Sequence, residues 1–362
     1  MKNMNIEDYL LWRGDIPFSK DPFNLVDAAV FNELAYVNFE PAGLLDSGAD
    51  GMTLKEAGEI ITEKDAYELK TLNGGEENFW RLAWQSERFG SVKVLHYEEV
   101  FDEERDTQFS AVQFQYGEEE IYTAFRGTDA SIVGWREDFM ISFTLTQSQK
   151  AAAEYMQRTM NPRMKYSAGG HSKGGNLALY ACAHLPEELN EKVEHLYIMD
   201  APGFAPDVFD RTLLEPLLSK TTRLLPEFCI ISRIYEVEIP DTLVIDCTGV
   251  PTQQHDLITW QLSGPVFRTK DKTNMISDKI MEVIMRWANS ESIENRELFV
   301  SEAFDTLSAS GSDDITKISV KGYMKVFEAL AKTSPEARDV LADLGRTLIG
   351  AQLRGTQEDN DA

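Results

Sequence analysis

Several things are scarce in this chain of 362 residues, and each scarcity excludes something. There are three cysteines, Cys182, Cys229 and Cys247, an odd and widely spaced set. That pattern builds neither a disulfide framework nor a Cys-based metal motif. Cys182 and Cys229 read instead as small core hydrophobes. No apolar run is long enough to cross a bilayer. The start, Met1-Lys2-Asn3-Met4-Asn5-Ile6-Glu7-Asp8, has no apolar stretch behind a basic end, so no secretory signal is expected. Positive charge is outweighed: 35 Lys and Arg face 61 Asp and Glu, a net charge of −26. Such a balance argues against nucleic acid or an anionic membrane as a partner. A cytoplasmic location without stable membrane association is the expectation. Internal repeats and low-complexity blocks are also missing. What remains is 43% hydrophobic and 10% aromatic residues, enough to bury a large core.

Histidine is scarce too, and this narrows the chemistry. Ser172 lies in Gly169-Gly170-His171-Ser172-Lys173-Gly174-Gly175-Asn176. A short strand signal over 164–168 precedes it, and a run of good helix formers over 176–183 follows. Strand, tight turn and helix around G-x-S-x-G is the context of a nucleophile elbow. The turn predicts a positive φ at Ser172, with Gly170 and Gly174 making room for the adjoining strand and helix. Amides at the helix start would then face negative charge forming beside the serine.

A serine hydroxyl needs a base, and the base needs an acid to orient it. The five histidines are His96, His171, His184, His195 and His255. Only His255 follows the last strand-like run, as the order Ser–acid–His requires. The acid stays open. Asp200 ends the strand signal over 195–199, in Met199-Asp200-Ala201-Pro202-Gly203, while Glu236, Glu238 and Asp241 follow the strand-like run over 228–232. Strand ends of a parallel sheet are where catalysis gathers, and Asp200 is also a natural turn former. Asp246 closes a further strand signal over 242–246. For the oxyanion, the amide of Lys173 and an amide at Gly127 or Thr128, after the strand over 120–125, are the candidates. No metal or organic cofactor is called for.

Elsewhere, a helix is expected from near Asn24, a hairpin from 109–116 and 120–125, and a helix around 149–160. Strands alternating with helices imply an α/β fold with a mostly parallel sheet, the α/β-hydrolase type, over residues 1–265. From 266 to 354 helical periodicity takes over, near 273–289, 294–308, 314–332 and 334–353. This helical C-terminal region offers a cap or a surface for homo-oligomers. Residues 355–362 read as a disordered acidic tail.

Phe125-Arg126-Gly127-Thr128 with Trp135 and Asp138 resembles the oxyanion segment of class 3 (fungal-type) lipases, and Gly-His-Ser-x-Gly-Gly resembles their elbow. Met199-Asp200-Ala201-Pro202-Gly203 is similar to the segment where pancreatic-type lipases carry their acid. With Trp12-Arg13-Gly14-Asp15 and Gln254-His255-Asp256, residues 8–265 resemble a bacterial family of α/β-hydrolases related to class 3 lipases. The resemblance implies a serine hydrolase that cleaves a small carboxylic ester through an acyl-enzyme on Ser172. In class 3 lipases the acid follows a later strand, which points to the 236–241 group. Lys173 stands where lipases often carry an apolar residue, which points away from a greasy lid and toward soluble short-chain esters. The alternative is a catalytically inactive protein that keeps the fold as a binding or scaffold module.

Overall fold

The computed structural model describes residues 3–70, 77–102, 107–128, 137 and 140–308. Among the described residues, a main sheet of nine strands carries the fold. In chain order these are β1 (Met52–Thr53), β2 (Lys93–Asp102), β3 (Thr107–Gln115), β4 (Glu120–Phe125), β5 (Lys165–His171), β6 (Val193–Met199), β7 (Thr221–Pro226) and β8 (Asp241–Ile245). Two short strands, β9 (Leu262–Ser263) and β10 (Val266–Phe267), pair with each other, and β11 (Thr269–Lys270) closes the main sheet. Pairing is antiparallel from β1 to β4, parallel from β4 to β8, and antiparallel again between β8 and β11.

The parallel strands lie side by side in chain order. Right-handed crossovers that always step the same way pass over the same face of a sheet. The crossover helices Gln147–Thr159 and Lys173–Ala183 accordingly share one core with Leu214 and Leu217. The N-terminal helices cover the opposite face: Val26, Val30, Phe31 and Leu34 pack there with Trp80 and Phe89. β4 shows the alternation that serves both layers. Ile121 and Phe125 face the crossover core, and Tyr122 and Ala124 face the N-terminal one.

Local sequence explains the N-terminal layer. Asn5 and Asn24 cap the helices Ile6–Arg13 and Leu25–Leu34, each with an aspartate three residues on, Asp8 or Asp27, returning the hydrogen bond. The hairpin forms as expected from β3 and β4. One expected strand does not form. Residues 228–232 are irregular and run into a 3₁₀ turn, Ile231–Arg233, while the strand itself is β7. β7 contains Arg223 and Pro226, which hide its pattern, yet Arg223 is buried because it bonds Glu236 and the Ser232 carbonyl.

The main sheet also runs past residue 265, since β11 pairs with β8. Beyond it, Met275–Ser290 and Ile293–Ser308 are helices. The second docks through Arg296, which is buried and bonds Asp207 at 3.0 Å and the Ala288 carbonyl at 2.7 Å. The helices expected over 314–332 and 334–353, and the tail over 355–362, lie outside the described residues. No helix among the described residues is long and apolar enough to cross a membrane.

Candidate active site

The parallel strands end on one side of the sheet, and the candidate residues gather there. Ser172 follows β5 directly and starts the helix Lys173–Ala183. Its backbone sits at φ 56° and ψ −131°, a costly conformation for any residue with a Cβ. Packing enforces it. A Cβ on Gly170 would lie 2.2 Å from the Gly174 carbonyl carbon, and one on Gly174 would lie 2.0 Å from the Phe125 carbonyl oxygen. The Ser172 amide donates to the Met199 carbonyl at 2.9 Å, which ties the turn to the end of β6.

Asp200 follows β6, is buried, and has φ 40°. His255 arrives on the 3₁₀ turn Pro251–His255. Its Nδ1 lies 2.6 Å from Asp200 Oδ2, and its Nε2 lies 3.0 Å from Ser172 Oγ. A carboxylate can only accept here, so Nδ1 carries the proton and Nε2 is left to accept from the serine hydroxyl. The other oxygen of Asp200 accepts from the Ser232 hydroxyl at 2.6 Å and the Ser232 amide at 3.2 Å. Burial pushes the Asp200 pKa up, but the charge and hydrogen bond of His255, with the Ser232 bond, outweigh it and hold the carboxyl below its usual range. Asp200 is thus a fixed anion behind the histidine. The irregular stretch over 228–232 turns out to be the buttress of that anion.

The other acid candidates are engaged elsewhere. Glu236 bonds Arg223 at 2.6 Å and Arg233 at 2.8 Å. Asp241 accepts from the Thr222 hydroxyl at 2.5 Å. Glu238 is exposed, and Asp246 pairs with Arg268 and Lys270. Of the other histidines, His195 bonds the Thr222 hydroxyl and His184 the Tyr180 carbonyl. His96 lies in β2, where its amide bonds the Gly48 carbonyl.

His171 matters in a way its position beside the serine does not announce. Its Nε2 donates to the His255 carbonyl at 2.7 Å, so its Nδ1 accepts from the Tyr36 hydroxyl at 3.0 Å. The two imidazole rings lie 4.5 Å apart. Burial first, and the adjacent His255 second, bring the His171 pKa down to about 3. It therefore stays neutral and holds the backbone of the residue that touches Ser172. Tyr36 gave no signal in the sequence, because it lies far away in the chain and looks like any core aromatic.

The oxyanion candidates lie on either side of the elbow. Thr128 is buried after β4, and a Cβ on the preceding Gly127 would lie 2.7 Å from the His171 carbonyl and 2.1 Å from the Tyr36 hydroxyl. Only glycine lets this turn approach so closely. Lys173 opens the helix, so its amide is one of those the helix start leaves unbonded. Its side chain corrects an expectation. A lysine at this position reads as a hydrophilic neighbour of the nucleophile, but its ammonium is buried and donates to the Gln108 carbonyl at 2.8 Å and to Glu137 at 3.1 Å. It therefore says nothing about an apolar lid. Trp135 and Asp138 lie outside the described residues. Among the described residues no cluster of His, Cys, Asp or Glu is fit to hold a metal ion.

A sheet with these crossovers and a serine on a strained strand–helix turn is the α/β-hydrolase arrangement. No curated protein matches the chain. Among solved structures, the crystal structure of M37 lipase is similar over 58% of this chain and 69% of that one, at 16% identity and a TM-score of 0.36. A family model described as Mbeg1-like matches residues 83–305, more than half of the chain, and the chain belongs to that family.

Proposed function

We propose that the protein is a serine hydrolase that cleaves a small carboxylic ester through an acyl-enzyme. One observation carries the reading: Ser172 Oγ, His255 and Asp200 form a continuous hydrogen-bonded chain, at 3.0 Å and 2.6 Å, that ends on a serine in a strained turn. In this reading His255 Nε2 takes the hydroxyl proton as Ser172 attacks the acyl carbon. The amides of Lys173 and Thr128 meet the oxyanion of the tetrahedral intermediate. His255 then returns the proton to the leaving alcohol, and water releases the acyl group by the same steps. Asp200 stays ionised throughout and steadies the imidazolium. No metal or organic cofactor takes part.

Soluble short acyl esters are the proposed substrates. The net charge of −26 supports them, because it repels anionic lipid surfaces. The test is turnover of p-nitrophenyl butyrate by the purified chain, followed by rate against concentration across the solubility limit of a medium-chain ester. Saturation below that limit with no jump above it agrees with the proposal. A sharp rise as the emulsion forms would reverse the substrate preference. No turnover of any activated ester would leave a fold that binds without chemistry.

A further inference from the structure

A buried ion pair sits directly behind the candidate nucleophile, and the proposed chemistry does not use it. Lys173 and Glu137 have side chains 0% and 1% exposed, with Nζ 3.1 Å from Oε2. The same ammonium donates to the Gln108 carbonyl at 2.8 Å, and the Gln108 amide donates to the same Glu137 oxygen at 3.0 Å. The other oxygen, Glu137 Oε1, is buried without a hydrogen-bond partner. Three separate pieces of chain thus meet at one knot: the first residue of the elbow helix, the start of β3, and Glu137, which follows the Gly127–Thr128 turn in sequence.

For stability alone this is a poor arrangement. A cation in the first turn of a helix opposes the helix dipole. Desolvating two charges consumes most of what their attraction returns, and an apolar pair of the same size commonly does as well. One carboxylate oxygen is left unbonded besides. What the pair does supply is direction. The residue whose backbone amide opens the helix has its side chain fixed at the far end, so rotation of its peptide plane would break buried hydrogen bonds.

We infer that Lys173 and Glu137 are positioning residues, whose buried ion pair orients the Lys173 amide toward the oxyanion and holds it against the turn that carries Thr128. The inference rests on the serine-hydrolase reading. In it, one residue has two duties: its amide faces the reaction and its ammonium is an anchor. The anchor acts only through the amide and touches no substrate. A misplacement of about 1 Å at such a donor is enough to cost roughly 10²-fold in rate.

The test uses the double variant Lys173→Met/Glu137→Gln, in which neither charge is left buried alone and the side-chain carbonyl introduced at position 137 can still accept from the Gln108 amide. Three quantities are compared with wild type, at a temperature where circular dichroism shows both proteins folded. These are kcat and KM for p-nitrophenyl butyrate, and the affinity for a phenylboronic acid that forms a tetrahedral adduct on the serine. The expected result is a fall in kcat of about 10- to 100-fold, a parallel fall in boronate affinity, and a KM within about twofold of wild type. A purely structural pair would not move boronate affinity and kcat together in a folded protein. A double variant that keeps both near wild type overturns the inference, as does a loss of kcat with boronate affinity intact. If the wild type itself turns over no ester, the serine-hydrolase reading falls and takes this inference with it. An active wild type matched by the double variant removes the inference alone.

Discussion

Arg88 with Asp27 and His255 with Asp200 are both pairs of a base and a buried carboxylate, yet they sit in opposite kinds of surroundings. Arg88 is fully enclosed. It bonds both oxygens of Asp27 and the carbonyls of Ile16, Asp21 and Pro22, and its guanidinium lies 4.0 Å from the Phe18 ring centre. Tyr9 and Asn24 complete the set around Asp27. Every strong donor has an acceptor, and the knot ties the first two helices to Glu87–Gly90. His255 is partly open, its side chain 23% exposed, and its chain of bonds stops at a serine hydroxyl on a strained backbone. Burial of charge marks both regions. What separates them is whether the network closes on itself or ends on a single hydroxyl, that of Ser172.

Breaking the open network should cost rate and leave stability nearly intact. Ser172→Ala is expected to lower kcat for an activated ester by about 10⁶-fold, and Asp200→Asn by about 10⁴-fold, because the three residues act as a unit. Glu236→Gln and Asp241→Asn should stay within about an order of magnitude of wild type, since both carboxylates are held in local pairs. Steady-state kinetics on the four variants measures this. A larger loss at Asp241 or Glu236 than at Asp200 would move the acid to the later strands.

The closed network should behave in the opposite way. Arg88→Met strips Asp27 of its cation, and removing one partner of a buried pair costs about 3–5 kcal/mol. Urea unfolding should register that loss, while kcat measured on the folded fraction stays within about twofold. A stable Arg88→Met variant with damaged kcat would erase the distinction between the two regions.

Tyr36→Phe probes the link between the N-terminal layer and the site. It removes the donor to His171 Nδ1, and a buried acceptor left without a partner costs about 1–3 kcal/mol. Because His171 holds the His255 carbonyl, kcat should fall by roughly tenfold with KM little changed. Equal KM and kcat to wild type would show that His255 keeps its place without this support.

The last effect shows only as a dependence on pH and belongs to Glu33, a buried carboxyl with a charge near it of the wrong sign. Burial first, and Asp256 second, push its pKa up to about 8. In the folded state it is neutral below that value, whereas in the unfolded chain it ionises near the ordinary value of 4.5. Its folded pKa is the higher one, so its contribution to stability is complete below the unfolded pKa and is lost as pH rises toward 8. Glu33→Gln should therefore flatten the decline of unfolding free energy between those two values. A parallel pH profile for variant and wild type would show that Glu33 is ionised in the fold.

The turn around Ser172 was more legible in the sequence than the groups that support it. Ser172, its glycines and the late position of His255 were legible because an elbow is a local pattern and the order of the three groups constrains the rest. The acid was not decided by sequence. Asp200 and Glu236 both lie beyond strands, and what removes Glu236 is its pairing with Arg223 and Arg233, a matter of which side chains meet in three dimensions. Ser232, Tyr36 and Glu137 were invisible for the same reason. Each works on a group far along the chain, as Tyr36 does on His171 across 135 residues. β7 escaped because a buried arginine and a proline break the apolar run that marks a parallel strand.

The most direct test of the central claim is covalent labelling with a fluorophosphonate probe, read by mass spectrometry of the digested protein. A serine activated by His255 and Asp200 predicts one phosphonyl group per chain, located on Ser172, with labelling lost in Ser172→Ala and strongly slowed in Asp200→Asn. An unlabelled wild type, or labelling that persists unchanged in Ser172→Ala, would contradict it.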